Sequence, residues 1–110
     1  MSVAVLITYH DDVASPGPSY LPLATEEVFA RHWLPAAKAL GCVWIPLFQS
    51  GAPVPLADVP AVLDELRRLR DHFAAEPDDS PAAGVRERSA WLVGELDKID
   101  LRTIEELWIG

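Results

Sequence analysis

The sequence predicts a small α/β (α+β) domain in which a sheet of two to four strands is covered by about three helices, in the order β-α-β-(β)-α-α. Two patterns predict this class: a β-rich apolar run near the N-terminus and, in the second half, apolar residues at helical spacing. The length of 110 residues, half of them hydrophobic, is enough for one hydrophobic core. We therefore expect residues 1–110 to form a single domain.

The N-terminal part predicts a strand followed by a loop. Residues 3–9 are apolar with little alternation, which is typical of a strand buried on both faces. Residues 11–19 contain Pro16, Gly17 and Pro18 and are predicted to form a loop.

The first helix is expected to begin at Thr25, whose hydroxyl is a good N-cap, and to end at Gly41. Pro35 falls inside this helix and predicts either a kink or a break into two pieces at Leu34. The apolar residues at helical spacing are Phe29, Trp33, Ala36, Ala37 and Leu40.

Residues 43–48 are interpreted as the second strand, which Pro46 restricts to a sheet edge or a bulge. Residues 52–56 could form a short return strand. Cys42 lies in this apolar region and is expected to be a buried, unreactive thiol.

The second helix begins after Asp58, and a short acidic loop and Ser80 then lead into a third helix. The short connection predicts an antiparallel helical hairpin. Residues 101–110 are compatible with either helix or strand. The apolar stripe of the second helix consists of Val59, Val62, Leu63, Leu66, Leu69 and Phe73.

Composition argues against several classes of function. A net charge of −8 disfavours nucleic acid as a partner, because phosphates require a basic surface. The apolar runs are too short for a membrane span or a signal peptide, and the lone cysteine permits no internal disulfide, so a cytoplasmic location is expected. Glycine-rich phosphate loops and zinc-ligand spacings are absent from the sequence. The sequence therefore predicts no cofactor, no metal and no enzymatic activity.

One segment supports a different interpretation. His10, Asp11 and Asp12 follow the first predicted strand, and strand ends are where open α/β sheets place ligands. A histidine beside carboxylates could act as a general base or help to hold a cation. A small enzyme or ligand-binding domain is thus one alternative, although the same residues are ordinary loop residues.

The middle of the chain combines several apolar and turn residues, namely Phe29-x-x-x-Trp33-Leu34-Pro35, Leu40-Gly41, Trp44-Ile45-Pro46-Leu47-Phe48, Gly51 and Leu63-Asp64-Glu65-Leu66. Over about residues 25–70 this combination resembles small bacterial immunity proteins, which neutralise the toxins of polymorphic or contact-dependent systems. The resemblance implies a non-catalytic cytoplasmic protein that binds a cognate toxin by surface complementarity, and an acidic member often faces a basic toxin.

Charge and expected exposure, rather than the resemblance, select the candidate contact residues. Acidic residues concentrate towards the two ends of the chain, where a basic toxin domain could bind. The remaining alternative is a non-catalytic regulatory module or homo-oligomer that uses exposed tryptophan surface. The predicted partner-binding residues are Asp11, Asp12, Glu76, Asp78, Asp79, Glu95, Asp97 and Asp100.

Overall fold

The computed structural model describes residues 2–110 and has the predicted α+β class. Short 3₁₀ turns at Ile45–Gln49, Leu56–Asp58 and Leu101–Thr103 connect the main elements. In chain order these elements are β1 (Ser2–Tyr9), β2 (Tyr20–Thr25), α1 (residues 26–39), β3 (Ala52–Pro53), α2 (Val59–Phe73), α3 (Ala83–Asp97) and β4 (Ile104–Ile109).

The four strands form one antiparallel sheet in the order β2-β1-β4-β3. The predicted order of elements is therefore wrong in two respects: β2 follows the first loop directly, and the last strand of the sheet is the C-terminal segment. That segment, which the sequence left as helix or strand, is a strand between β1 and β3. Of the possible return strand at residues 52–56, only β3 forms.

β1 is buried on both faces only as far as Val5, so the prediction for the whole strand is wrong. Beyond that point its residues alternate: Ile7 is buried, whereas Leu6 and Thr8 are exposed. The alternation arises because the helices cover one face of the sheet and leave the other open.

α1 begins as predicted, with the Thr25 hydroxyl accepting a hydrogen bond from the Val28 amide at 3.2 Å. It does not break at Leu34. Instead Phe29–Trp33 forms a π-turn, in which the Leu34 amide donates to the Phe29 carbonyl. The helix thus continues through Pro35, which lacks an amide hydrogen, and ends at Gly41 with φ +72°.

The strand predicted at residues 43–48 is wrong, because this segment is a turn followed by a 3₁₀ helix. The buried carboxylate of Glu65 accepts hydrogen bonds from the amides of Val43, Trp44 and Ile45 at 3.0–3.1 Å. These amides are therefore unavailable to a sheet, and Pro46 supplies no donor. The adjacent Cys42 is buried, and burial raises the pKa of its thiol.

The helical hairpin is confirmed: α2 and α3 pack together, and Arg67 bonds Asp97 while Arg86 reaches back to the Glu76 carbonyl. α2 begins after Asp58, although the Asp58 side chain makes no capping bond, and its predicted apolar stripe is buried throughout. The hairpin packs on the inner face of the sheet, where Val5 and Leu107 contact the same small cavity as Val62 and Leu96. Across residues 2–110, no helix combines the length and apolarity needed to cross a membrane.

Candidate functional site

The eight acidic residues predicted to contact a partner do not form one surface. Glu76, Asp78 and Asp79 lie in the loop before α3, whereas Glu95 and Asp97 lie in its last turn. A helix of 15 residues is about 22 Å long, so these groups occupy opposite ends of the hairpin.

The loop after β1 belongs to the second of these groups. The His10 amide donates to the Thr103 carbonyl at 3.0 Å, which fixes this loop beside the chain that leaves α3. Gly17 and Pro18 line a shallow groove together with Asp100 and residues of the last turn of α3. The exposed Asp11 and Asp12 therefore lie at the same end of the molecule as Glu95, Asp97 and Asp100.

Most of these acids have a local partner, which reduces the negative field they present. The nearest nitrogen–oxygen distance is 2.7 Å for Asp78–Arg86, 2.6 Å for Asp97–Arg67, 3.0 Å for Asp100–Arg102 and 3.4 Å for Glu95–Lys98, and Glu76 accepts from the Ser80 hydroxyl.

Two of these pairs also perturb ionisation. The hydrogen bond from Arg102 lowers the pKa of Asp100, and the bond to Asp78 raises the pKa of Arg86. Within residues 2–110, Asp11, Asp12 and Asp79 make no ion pair.

The alternative site at His10, Asp11 and Asp12 is an exposed turn, closed by a hydrogen bond from the Val13 amide to the His10 carbonyl. A general base needs a second group that orients it and a cavity that holds the substrate. Here the hydrogen bonds of the turn come from its backbone. The described residues also contain no cluster of three metal-ligating side chains.

The outer face of the sheet carries a continuous row of exposed apolar side chains. Tyr20, Leu6, Trp108 and Pro53 are direct cross-strand neighbours on β2, β1, β4 and β3 in turn. Leu6 and Trp108, in the two central strands, are each 42% exposed, and Tyr20 is 54% exposed. No helix in the described part of the chain covers this face, so the row is available to a partner.

A groove of about 490 Å³ runs beside this row, between β4 and the segment that follows β3. Its walls are mainly apolar, and the only charged side chains that line it among residues 2–110 are those of Glu105 and Glu106. The lining residues are Leu6, Thr8, Pro53, Val54, Pro55, Leu56, Glu105, Glu106, Leu107 and Trp108.

The Trp108 indole is held in place by two glycines. A Cβ at Gly51 would lie 2.7 Å from Cζ2 of the indole, and one at Gly110 would lie 3.0 Å from its Nε1. Gly51 also has φ +90°, a conformation that other residues rarely adopt. The indole thus packs directly against the main chain of these two glycines, which fixes its position beside the groove.

Two large exposed apolar residues, Leu47 and Trp91, lie outside both the row and this groove. Leu47 lies on the 3₁₀ helix after α1, and Trp91 lies on α3 with the Arg88 guanidinium 4.8 Å from its ring centre. They are close matches in type and exposure to Leu6 and Trp108, at 49% and 40% exposed. This makes them suitable controls.

The sequence indicated exposed tryptophan surface but not this row. Its members are far apart in the chain, and only the pairing of four strands brings them together. No local signal marked it, because residues 3–9 show little alternation in sequence and β1 alternates only in burial.

Comparison with family models, with curated proteins and with solved structures finds no match to this chain.

Proposed function

We propose that this protein is a cytoplasmic immunity protein, which binds a bacterial toxin domain and neutralises it by covering its surface. The observation that supports the proposal is the exposed row on the outer face of the sheet. An aromatic and aliphatic row of this kind is typical of protein-binding surfaces, whereas isolated exposed apolar residues are common on any protein.

The row is well suited to tight binding. Tyrosine and tryptophan supply a large contact area with few rotatable bonds, and such residues dominate the energetics of many interfaces. Leu6 and Trp108 project from the two central strands, so little entropy is lost in ordering them.

The acidic residues supply a second, weaker contribution. With a net charge of −8 the protein attracts a basic partner over a distance, which raises the association rate at low salt. Of the eight predicted acids, four have no ion pair within the described residues: Asp11, Asp12, Glu76 and Asp79. Glu76 is half-buried and bonded to Ser80, so the exposed Asp11, Asp12 and Asp79 are best placed to do this.

Co-expression tests the proposal directly. The immunity function predicts that a toxin-like protein is encoded beside the gene of this chain. That protein is expressed in the bacterial cytoplasm with and without the chain, and cell survival is measured. We expect full protection by the native chain and loss of protection by Leu6→Gln combined with Trp108→Gln. The matched control, Leu47→Gln combined with Trp91→Gln, should protect as the native chain does.

Failure of the native chain to protect, together with no binding of the toxin in vitro, would refute the immunity function. Equal protection by the sheet-face variant and the control variant would retain the function but exclude this face as the contact surface. Substitution of Asp11, Asp12 and Asp79 by asparagine should slow association at low salt and leave dissociation nearly unchanged.

A further inference from the structure

We propose that the groove on the outer sheet face binds an extended segment of the partner, which carries a bulky apolar side chain with lysine or arginine beside it. This inference rests on the proposed function, since it specifies the chemistry of the partner at the surface described above.

The apolar part follows from the lining of the groove. Leu6, Leu56 and Trp108 are each about two-fifths exposed, and Pro53 and Pro55 also line the groove. The volume of about 490 Å³ falls within the range of about 300–1,000 Å³ that is typical of ligand pockets. One large side chain inserted here would remove apolar surface of both partners from water.

The cationic part follows from Glu105 and Glu106. The pairing of β1 with β4 shifts register between Thr8 and Tyr9, so that Glu106 lies opposite Thr8 and Glu105 is left between the paired positions. Both carboxylates are exposed, neither forms an ion pair within residues 2–110, and no lysine or arginine lines the groove. A basic side chain of the partner would neutralise them.

The extended conformation follows from the shortness of β3. β3 pairs only with Ile109 and Trp108, and the Val54 amide adds one bond to the Leu107 carbonyl. The first half of β4, which includes both glutamates, therefore has no strand beside it on that side within the described sheet, although the 3₁₀ turn Leu56–Asp58 packs against β4. An extended segment can lie along this edge while its side chain enters the groove.

Charge disfavours a second copy of the chain as the occupant. A twofold contact through this face would place the same surface on both partners, including Glu105 and Glu106. Two chains of charge −8 would then meet with uncompensated carboxylates. A partner with basic residues around an apolar centre avoids this repulsion.

Selection from a phage-displayed library of random peptides tests the inference without a known partner. Peptides are selected on the native chain and depleted on the Leu6→Gln, Trp108→Gln variant. We expect the enriched peptides to share an aromatic or large aliphatic residue next to lysine or arginine. Trp108→Gln should weaken their binding about thirtyfold or more.

The charge requirement is measured separately. Glu105→Gln combined with Glu106→Gln should weaken binding of the enriched peptides about three- to tenfold at low salt, and high salt should abolish this difference. Asp64→Asn combined with Asp71→Asn, on exposed positions of α2, is the matched charge control and should change binding less than twofold.

Three outcomes would overturn the inference. The first is a set of enriched peptides without an excess of basic residues. The second is that these peptides shift NMR signals of the native chain outside β1, β4 and residues 53–56. The third is self-association in sedimentation that Leu6→Gln abolishes and Leu47→Gln does not. The NMR mapping uses only the native chain, so it remains decisive if a variant fails to fold. Protection from the toxin by the Leu6→Gln, Trp108→Gln variant would refute the inference alone. Peptide binding by a native chain that neither protects from the toxin nor binds it would refute the proposed function alone.

Discussion

On the inner face of the sheet, Val5, Ile7 and Leu107 are almost fully buried beneath the helices, while on the outer face Leu6 and Trp108 remain about two-fifths exposed. Both sets lie on the same two strands, and their positions alternate along each of them. The intrinsic preference of such residues for strands is similar, so the difference arises from what packs on each face.

The apolar residues of β1 and β4 therefore divide into two sets: those on the inner face complete the core, and those on the outer face remain accessible to solvent. The helical layer needs only the inner face to complete a core. Apolar residues on the outer face gain little from folding, so a partner that covers them is a physical reason for their presence.

The sharpest test of this division uses two adjacent residues of β1. Ile7→Ala removes a side chain that is 5% exposed and should lower the free energy of unfolding by about 2–5 kcal/mol. Leu6→Ala, on the other face, should cost less than about 1 kcal/mol. Urea denaturation followed by circular dichroism measures both values, and equal losses would show that the outer face is part of the core.

Glu65 provides the second test, because its buried carboxylate anchors residues 43–45 to α2. Glu65→Ala removes the acceptor of three backbone amides and should lower the free energy of unfolding by about 2–4 kcal/mol. The neighbouring exposed carboxylate offers the control, Asp64→Ala, which should cost no more than about 0.5 kcal/mol.

Hydrogen exchange gives this prediction a second measurement. In Glu65→Ala the amides of Val43, Trp44 and Ile45 should exchange faster than they do in the native chain, because they lose their acceptor. Unchanged protection at these three amides would show that another group satisfies them.

Glu65 also marks where sequence reasoning reached its limit. The helices were predictable because caps, apolar spacing and stop residues are local: Thr25, Gly41 and the stripe of α2 all behave as expected. Residues 43–48 have the composition of a strand, yet the amides of residues 43–45 donate hydrogen bonds to the carboxylate of Glu65, some 20 positions away. No local pattern contains that contact.

The candidate site was still less predictable. Charge was visible in the composition, but the pairing of Asp97 with Arg67 and of Asp78 with Arg86 depends on how the helical hairpin closes. The row from Tyr20 to Pro53 depends on the order of four strands, and one of them, β2, was not predicted at all.

Gly51 lies against the Trp108 indole and so helps to hold this side chain on the outer face of the sheet. Gly51→Ala would place a methyl group 2.7 Å from the indole at a φ of +90°, and should lower the free energy of unfolding by about 1–3 kcal/mol. Gly94→Ala, in α3 with open space around it, should instead stabilise the protein by about 0.5–1 kcal/mol. Thermal unfolding gives the stabilities, and tryptophan fluorescence reports whether the indole has moved. A destabilised Gly51→Ala variant with unchanged indole fluorescence would assign the cost to the backbone alone.

The smallest expected effect concerns the ion pair between Asp100 and Arg102, which belongs to neither face of the sheet. Arg102 lowers the pKa of Asp100 below its ordinary value of 3.8, through a side-chain and a backbone hydrogen bond. Because the folded-state pKa is the lower one, the stabilising contribution of Asp100 is present above the ordinary value and is lost as pH falls through the folded-state value. An NMR titration of the Asp100 carboxyl carbon should show this lowered pKa, and Arg102→Gln should return it towards the ordinary value while the protein remains folded. Since Arg102 is almost fully exposed, the same titration in high salt should show a smaller shift. A pKa that does not respond to Arg102→Gln would mean that Asp100 is unpaired in solution, and would restore it to the acids available for a basic partner.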